Sequence, residues 1–187
     1  PVVTAFAARQ RLAGGGQMLA MGRLDAPAAL PPRRATGIAE LDRALGGGLV
    51  AGSAVLIGGD PGIGKSTLLL QAAGAMAQAG ATVAYVSGEE ATDQIRLRAQ
   101  RLGLAGAPVL LASATSVRDI LTTLQTSAPD LLVIDSIQTI YSDQLSSAPG
   151  SVAQVRECAA HLTRTAKASG CTIVLVGHVT KEGTLAG

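Results

Sequence analysis

Gly59-Asp60-Pro61-Gly62-Ile63-Gly64-Lys65-Ser66, followed by Thr67, fits the pattern G-x-x-x-x-G-K-[ST], in which a glycine-rich loop turns backbone N–H groups inward to cradle phosphates. Each residue type has a task. The glycines admit the tight curvature, Lys65 reaches the outer phosphates of ATP or GTP, and the Ser66 hydroxyl is a ligand for Mg2+. The flanks match what such a loop requires: apolar Ala54-Val55-Leu56-Ile57 precedes it and Leu68-Leu69-Leu70-Gln71-Ala72-Ala73 follows it. A buried strand therefore hands over to a helix whose positive N-terminal end faces the anion.

Outward from the loop, strands and helices alternate. Residues 1–35 read as an Ala-, Gly- and Pro-rich leader ending near Pro31-Pro32-Arg33-Arg34, and residues 36–187 as one nucleotide-binding domain. A short helix from Ile38 to Leu45 runs into Gly46-Gly47-Gly48, which stop it. Strands are then expected at Ala54–Ile57, Thr82–Val86, Val109–Leu111, Leu131–Ile134 and Thr172–Val176. The helices between them are Ser66–Ala79, Thr92–Leu102, Val117–Leu124 and Val152–Ala168. Strands such as Leu131-Leu132-Val133-Ile134 are apolar throughout, which implies burial on both faces. The expected fold class is α/β, a mainly parallel sheet flanked by helices. Ligands of such sheets gather at the carboxyl ends of the strands. That is where the polar groups fall: the phosphate loop, then Ser87-Gly88-Glu89-Glu90, Asp135-Ser136 and Gly177-His178.

Composition narrows the classes. The chain has 187 residues and is 48% hydrophobic, enough for one α/β domain with a core and too apolar for a mainly disordered chain. No apolar stretch approaches the roughly 20 residues that cross a bilayer, so a soluble, cytoplasmic protein without a membrane partner is expected. Because Pro1 is not an initiator residue, a piece of something longer is expected as well. Cys158 and Cys171 lack C-x-x-C spacing and read as small buried hydrophobes. A net charge of +2 does not advertise a strongly basic nucleic-acid surface, and Phe6, Tyr85 and Tyr141 are too few for a base-stacking platform.

Hydrolysis needs further groups. Asp135, at the end of Leu132-Val133-Ile134, has the placement of a carboxylate holding the second side of the Mg2+ shell; the other use of such an Asp is to cap the following turn. Glu89 or Glu90 can activate water, with Glu89 the first choice; paired glutamates opening a helix also serve its dipole. His178 is placed either to sense the γ-phosphate or to bond a backbone carbonyl as a neutral side chain. Lys181, in Thr180-Lys181-Glu182-Gly183, is either a solvated charge or a contact to a nucleic-acid backbone or a neighbouring subunit's nucleotide. The stretch Ser142–Gly150 is a long polar loop, either lining a channel between subunits or mobile at the surface.

These residues together resemble a known family. Thr36-Gly37-Ile38-Ala39-Glu40-Leu41-Asp42 with Leu45-Gly46-Gly47-Gly48, the phosphate loop, Tyr85-Val86-Ser87-Gly88-Glu89-Glu90, Ile134-Asp135-Ser136-Ile137-Gln138-Thr139 and Val176-Gly177-His178-Val179-Thr180-Lys181-Glu182-Gly183 closely resemble the RecA-like ATPase core of the bacterial RadA (Sms) family. The resemblance runs from about Thr36 to the end. It implies a RecA-like P-loop NTPase core with the Glu89 strand beside the Asp135 strand. It also implies an ATP- and Mg2+-dependent DNA repair and recombination ATPase that forms hexameric rings, binds single-stranded DNA, promotes branch migration and works beside a recombinase. Lys65, Ser66, Glu89 and Asp135 carry over as phosphate, metal and hydrolysis residues, and Gln138 and Lys181 as members of loops facing DNA or the adjoining subunit. Members of the family carry an N-terminal four-cysteine zinc module and a C-terminal Lon-protease-like domain, so these residues are expected to be a piece of the whole, weak in hydrolysis by itself. Ala51 stands where the family has Pro. The competing expectation is a nucleotide-dependent assembly or signalling module of the clock-protein type, without a DNA role.

Overall fold

The computed structural model describes residues 21–25 and 31–179. The chain divides into two units, Pro1–Leu30 and Pro31–Gly187. In the first, the described feature is a surface ion pair between Arg23 and Asp25 at 2.6 Å.

The second unit is built on a parallel sheet of five strands: β3 (Ala54–Gly59), β4 (Val83–Ser87), β5 (Val109–Ser113), β6 (Leu131–Asp135) and β7 (Thr172–His178). Their spatial order is β3-β7-β6-β4-β5. The crossovers are α2 (Lys65–Gln78), α3 (Thr92–Arg101), α4 (Val117–Ser127) and α5 (Val152–Ser169). The expected alternation is thus present, and β4 lies beside β6 as the resemblance implies. The strands run one or two residues further at their carboxyl ends than apolarity alone marks, because Gly59, Ser87, Asp135 and His178 still keep strand geometry.

The two-residue side-chain period sorts the core into two layers. Val83 and Tyr85, Leu131 and Val133, and Val174 and Val176 pack with Leu69, Leu70, Ala73 and Met76 of α2 and Ile95 of α3. Their sequence neighbours Val86, Leu132, Ile134, Ile173 and Leu175 pack with Ile120 of α4 and Cys158 and Leu162 of α5. Both cysteines are buried free thiols, pushed up to about 11 by burial. β6 is buried at every position. The phosphate-loop strand is not: β3 is an edge strand, and Leu56 on its outer face is 47% exposed. The strand expected to be buried at Ala54–Ile57 is therefore half-buried on one face, through Val55 and Ile57, and exposed on the other.

Two further short strands, β1 (Arg33–Arg34) and β2 (Leu49–Val50), pair antiparallel around α1 (Ala39–Ala44). Residues 33–34 thus belong to the compact unit, a point that two charged residues in sequence do not disclose. Gly48 is required there, since its φ is +124° and a Cβ would stand 2.7 Å from the Arg34 carbonyl carbon. The stretch 142–150 is folded over one buried side chain. Gln154 Oε1 accepts from the Ser142 amide at 2.8 Å, and Nε2 donates to the carbonyls of Ser142, Leu145 and Ser147 at 3.1, 3.2 and 3.0 Å. Among the described residues no helix is long and apolar enough to cross a membrane.

Candidate nucleotide and magnesium site

The loop joining β3 to α2 lies at the carboxyl edge of the sheet. α2 starts from Gly64, whose φ of +101° puts it in the left-handed region, and no side chain caps this end. The first N–H groups of a helix lack intrahelical acceptors and carry the positive end of its dipole. A Cβ at Gly62 or Gly64 would meet nothing within 4 Å. It is backbone conformation, not crowding, that asks for glycine at both positions. Lys65 is 7% exposed, and its Nζ donates to the carbonyls of Gly59 and Asp60 at 2.7 and 2.8 Å. A cation is thereby stored on the loop itself, with Asp60, Pro61 and Ile63 exposed around it.

Register brings the acidic groups in from the neighbouring strands. Ser87 pairs with Asp135, and Tyr85 with Val133, so the Tyr85 ring lies diagonally behind the Asp135 carboxylate on the α2 face. The Tyr85 hydroxyl donates to Asp135 Oδ2 at 2.5 Å. Burial, with the negative charge of Asp135 behind it, raises the phenol far above the ordinary tyrosine value, so it stays a donor.

Beyond β4 the chain turns on Ser87 Oγ, which accepts from the amides of Glu89 and Glu90 at 3.2 and 2.9 Å. The two glutamates then part. Glu90 pairs with Arg98 of α3. Glu89 Oε1 accepts from Ser136 Oγ at 2.6 Å and lies 3.3 Å from His178 Nε2. Partial burial pushes the Glu89 carboxyl up, but the bonds from Ser136 and His178 and the charges of His178 and Lys65 outweigh it and hold the group below the usual glutamate range. The carboxylate is thus ionised and within the field of Lys65. His178 Nδ1 is buried with no hydrogen-bond partner among the described residues. Gln138, on the 3-10 turn Ile137–Thr139, donates from Nε2 to the His178 carbonyl at 3.2 Å.

Lys65, Ser66, Asp135, Glu89 and His178 thus converge at one edge, while Glu90 is turned to Arg98 and Lys181 lies outside the described residues. Tyr85 and Ser136 were not singled out by the sequence; the signal for Tyr85 is its even spacing from Ser87 on the strand, which becomes informative once the β4–β6 register is known. Among the described residues no cluster of three or more His, Cys, Asp or Glu side chains forms a metal cage. Ser66 and Asp135 instead offer the few hard oxygen ligands with which Mg2+, completed by water and phosphate, is held. The donor set fits Mg2+ with a phosphate ligand, and the uncapped, lysine-bearing helix end fits the phosphates.

A family described as an AAA domain matches residues 23–184. DNA repair protein RadA of Brucella abortus (strain 2308) is 55% identical over 177 residues, 92% of this chain and 38% of that protein. The RadA of Pseudomonas aeruginosa is 58% identical and that of Bacillus subtilis (strain 168) 52% identical, each over 156 residues, 83% of this chain and 34% of the relative. The chain spans about a third of the length of the curated relatives it matches. The resemblance to the RadA core and the RecA-like P-loop α/β class are both borne out.

Proposed function

The chain belongs to the AAA domain family, and on that premise we propose that it binds ATP with Mg2+ at the carboxyl edge of its sheet and hydrolyses it as the motor core of a DNA repair protein. The observation that carries the reading is the convergence of Lys65, Ser66, Asp135 and Glu89, delivered by three different strand ends to one place. Lys65, released from the Gly59 and Asp60 carbonyls, and the first-turn amides of α2 bind the β- and γ-phosphates and stabilise charge on the transferred group. Ser66 and Asp135 would hold Mg2+. The ion supplies neutralisation of the phosphate oxygens when bound. Glu89, ionised and oriented by Ser136, accepts the proton of the attacking water; Glu90 is the weaker candidate because its charge is committed to Arg98. His178, bonded to Glu89, is placed to report the γ-phosphate, and the Gln138 bond to the His178 carbonyl runs from there into the turn expected to face DNA.

The relatives are named as DNA repair proteins, which favours single-stranded DNA and branched DNA as partners over the assembly-module alternative. Ring assembly of copies, a recombinase partner, a contact from Lys181 and a cytoplasmic setting belong to the same proposal. The test is made in the natural gene product. Lys65→Ala should abolish ATP binding, whereas Glu89→Gln should keep binding and lose turnover by about 100-fold or more. Unchanged turnover in Glu89→Gln removes that residue from its role. Absence of stimulation by single-stranded DNA at low salt, where phosphate contacts are strongest, refutes the repair motor.

A further inference from the structure

We propose that Tyr85 is a positioning residue for the metal, its hydroxyl fixing the orientation of the Mg2+-facing carboxylate of Asp135. The inference rests on the nucleotide and Mg2+ reading above and adds to it a residue outside the loop and the acidic strand end. Tyr85 is 1% exposed, with its ring in the apolar layer beneath α2. A phenol so deeply buried needs partners for its oxygen. Its one proton goes to Asp135 Oδ2.

Direction follows from that assignment. On Asp135, Oδ2 is engaged, which fixes the carboxylate plane and leaves Oδ1 to be presented. Without the hydroxyl, the Asp135 carboxylate is free to rotate and a buried carboxylate oxygen loses its donor. The ring itself, bordered by Val83 and Ser87 on the same strand face, would pack as before.

The experiment compares the natural protein with Tyr85→Phe, measuring nucleotide affinity across a Mg2+ titration and again in excess chelator, with thermal midpoints alongside. The expected result is a 5- to 20-fold rise (order of magnitude) in the Mg2+ concentration at half-saturation, with metal-free affinity changed less than about twofold. An unchanged Mg2+ midpoint overturns the inference. So does an equal loss of affinity with and without Mg2+, which would mark a general packing defect. If the unsubstituted protein shows no Mg2+-dependent binding, the site reading falls and the inference with it. Tyrosine Cζ carbon NMR of the unsubstituted protein gives a readout independent of the variant's folding: a tyrosine resonance should move on adding Mg2+ to the nucleotide complex, and a spectrum that stays still refutes the role.

Discussion

Replacing Gly88 by alanine drives a methyl group into the turn that carries Glu89. The added Cβ would overlap Thr139 Oγ1 outright and stand 2.7 Å from Thr139 Cβ, where carbon pairs settle at about 3.5–4.0 Å. No positive φ is involved, so the cost is steric. Thr139 cannot yield cheaply: it is β-branched, and its Oγ1 donates to the Ser136 carbonyl at 2.8 Å. Overpacking costs about 1–3 kcal/mol and the lost hydrogen bond about 1 kcal/mol, so Gly88→Ala should destabilise by about 2–4 kcal/mol. Gly74→Ala is the control. There the nearest atom is the Leu104 Cδ2 methyl at 2.8 Å, the end of a flexible side chain, and the gain of about 0.5–1 kcal/mol for Ala over Gly in a helix offsets the crowding. Urea denaturation reads both. Adding Thr139→Ala to Gly88→Ala should recover part of the loss, since it removes Oγ1 and leaves Cβ in place. Because the displaced turn bears Ser136, and the Gly88 amide donates to the Asp135 carbonyl at 2.9 Å, turnover should fall more than nucleotide affinity. A Gly88→Ala protein as stable as Gly74→Ala would refute the steric argument.

Gln154→Ala should cost about 2–4 kcal/mol, because one buried amide accepts from a backbone N–H and shares its two protons among three carbonyls, all of which lose that partner; hydrogen exchange should quicken at residues 142–147, and unchanged protection there would sink the hub assignment. Glu89 titrates below its ordinary value in the folded chain, so its stabilising contribution is complete above the unfolded value, near 4.3 for a free glutamate, and is lost as pH falls through the lowered native one. The stability difference between the natural protein and Glu89→Gln should therefore shrink toward acid. A difference constant across that range, read from urea midpoints, would show that Glu89 gains nothing from Ser136 and His178.

Much of this architecture is legible in a single chain. The phosphate loop is a local object: eight consecutive residues carry the curvature, the cation and the hydroxyl, and their flanks carry the strand and the helix. The carboxyl-edge rule then put Glu89, Asp135 and His178 on one rim, because parallel strands must all end on the same side. Burial of β3 was over-read for a related reason. An apolar strand looks the same whether it lies inside the sheet or at its edge, and its place is set by which neighbours pair with it.

What residue order along the chain determined was therefore chemistry that lies within a few positions of itself: the loop, the alternation of elements, the strand-end acids. Tertiary packing decided which partner each of those acids takes. Glu89 and Glu90 are adjacent and chemically alike, yet the turn on Ser87 sends one to Ser136 and His178 and the other to Arg98. Tyr85 reaches Asp135 across 50 residues through the β4–β6 register. Hydrogen bonds and short-range fields act over a few ångströms of space, and only the folded sheet brings such distant residues within that range.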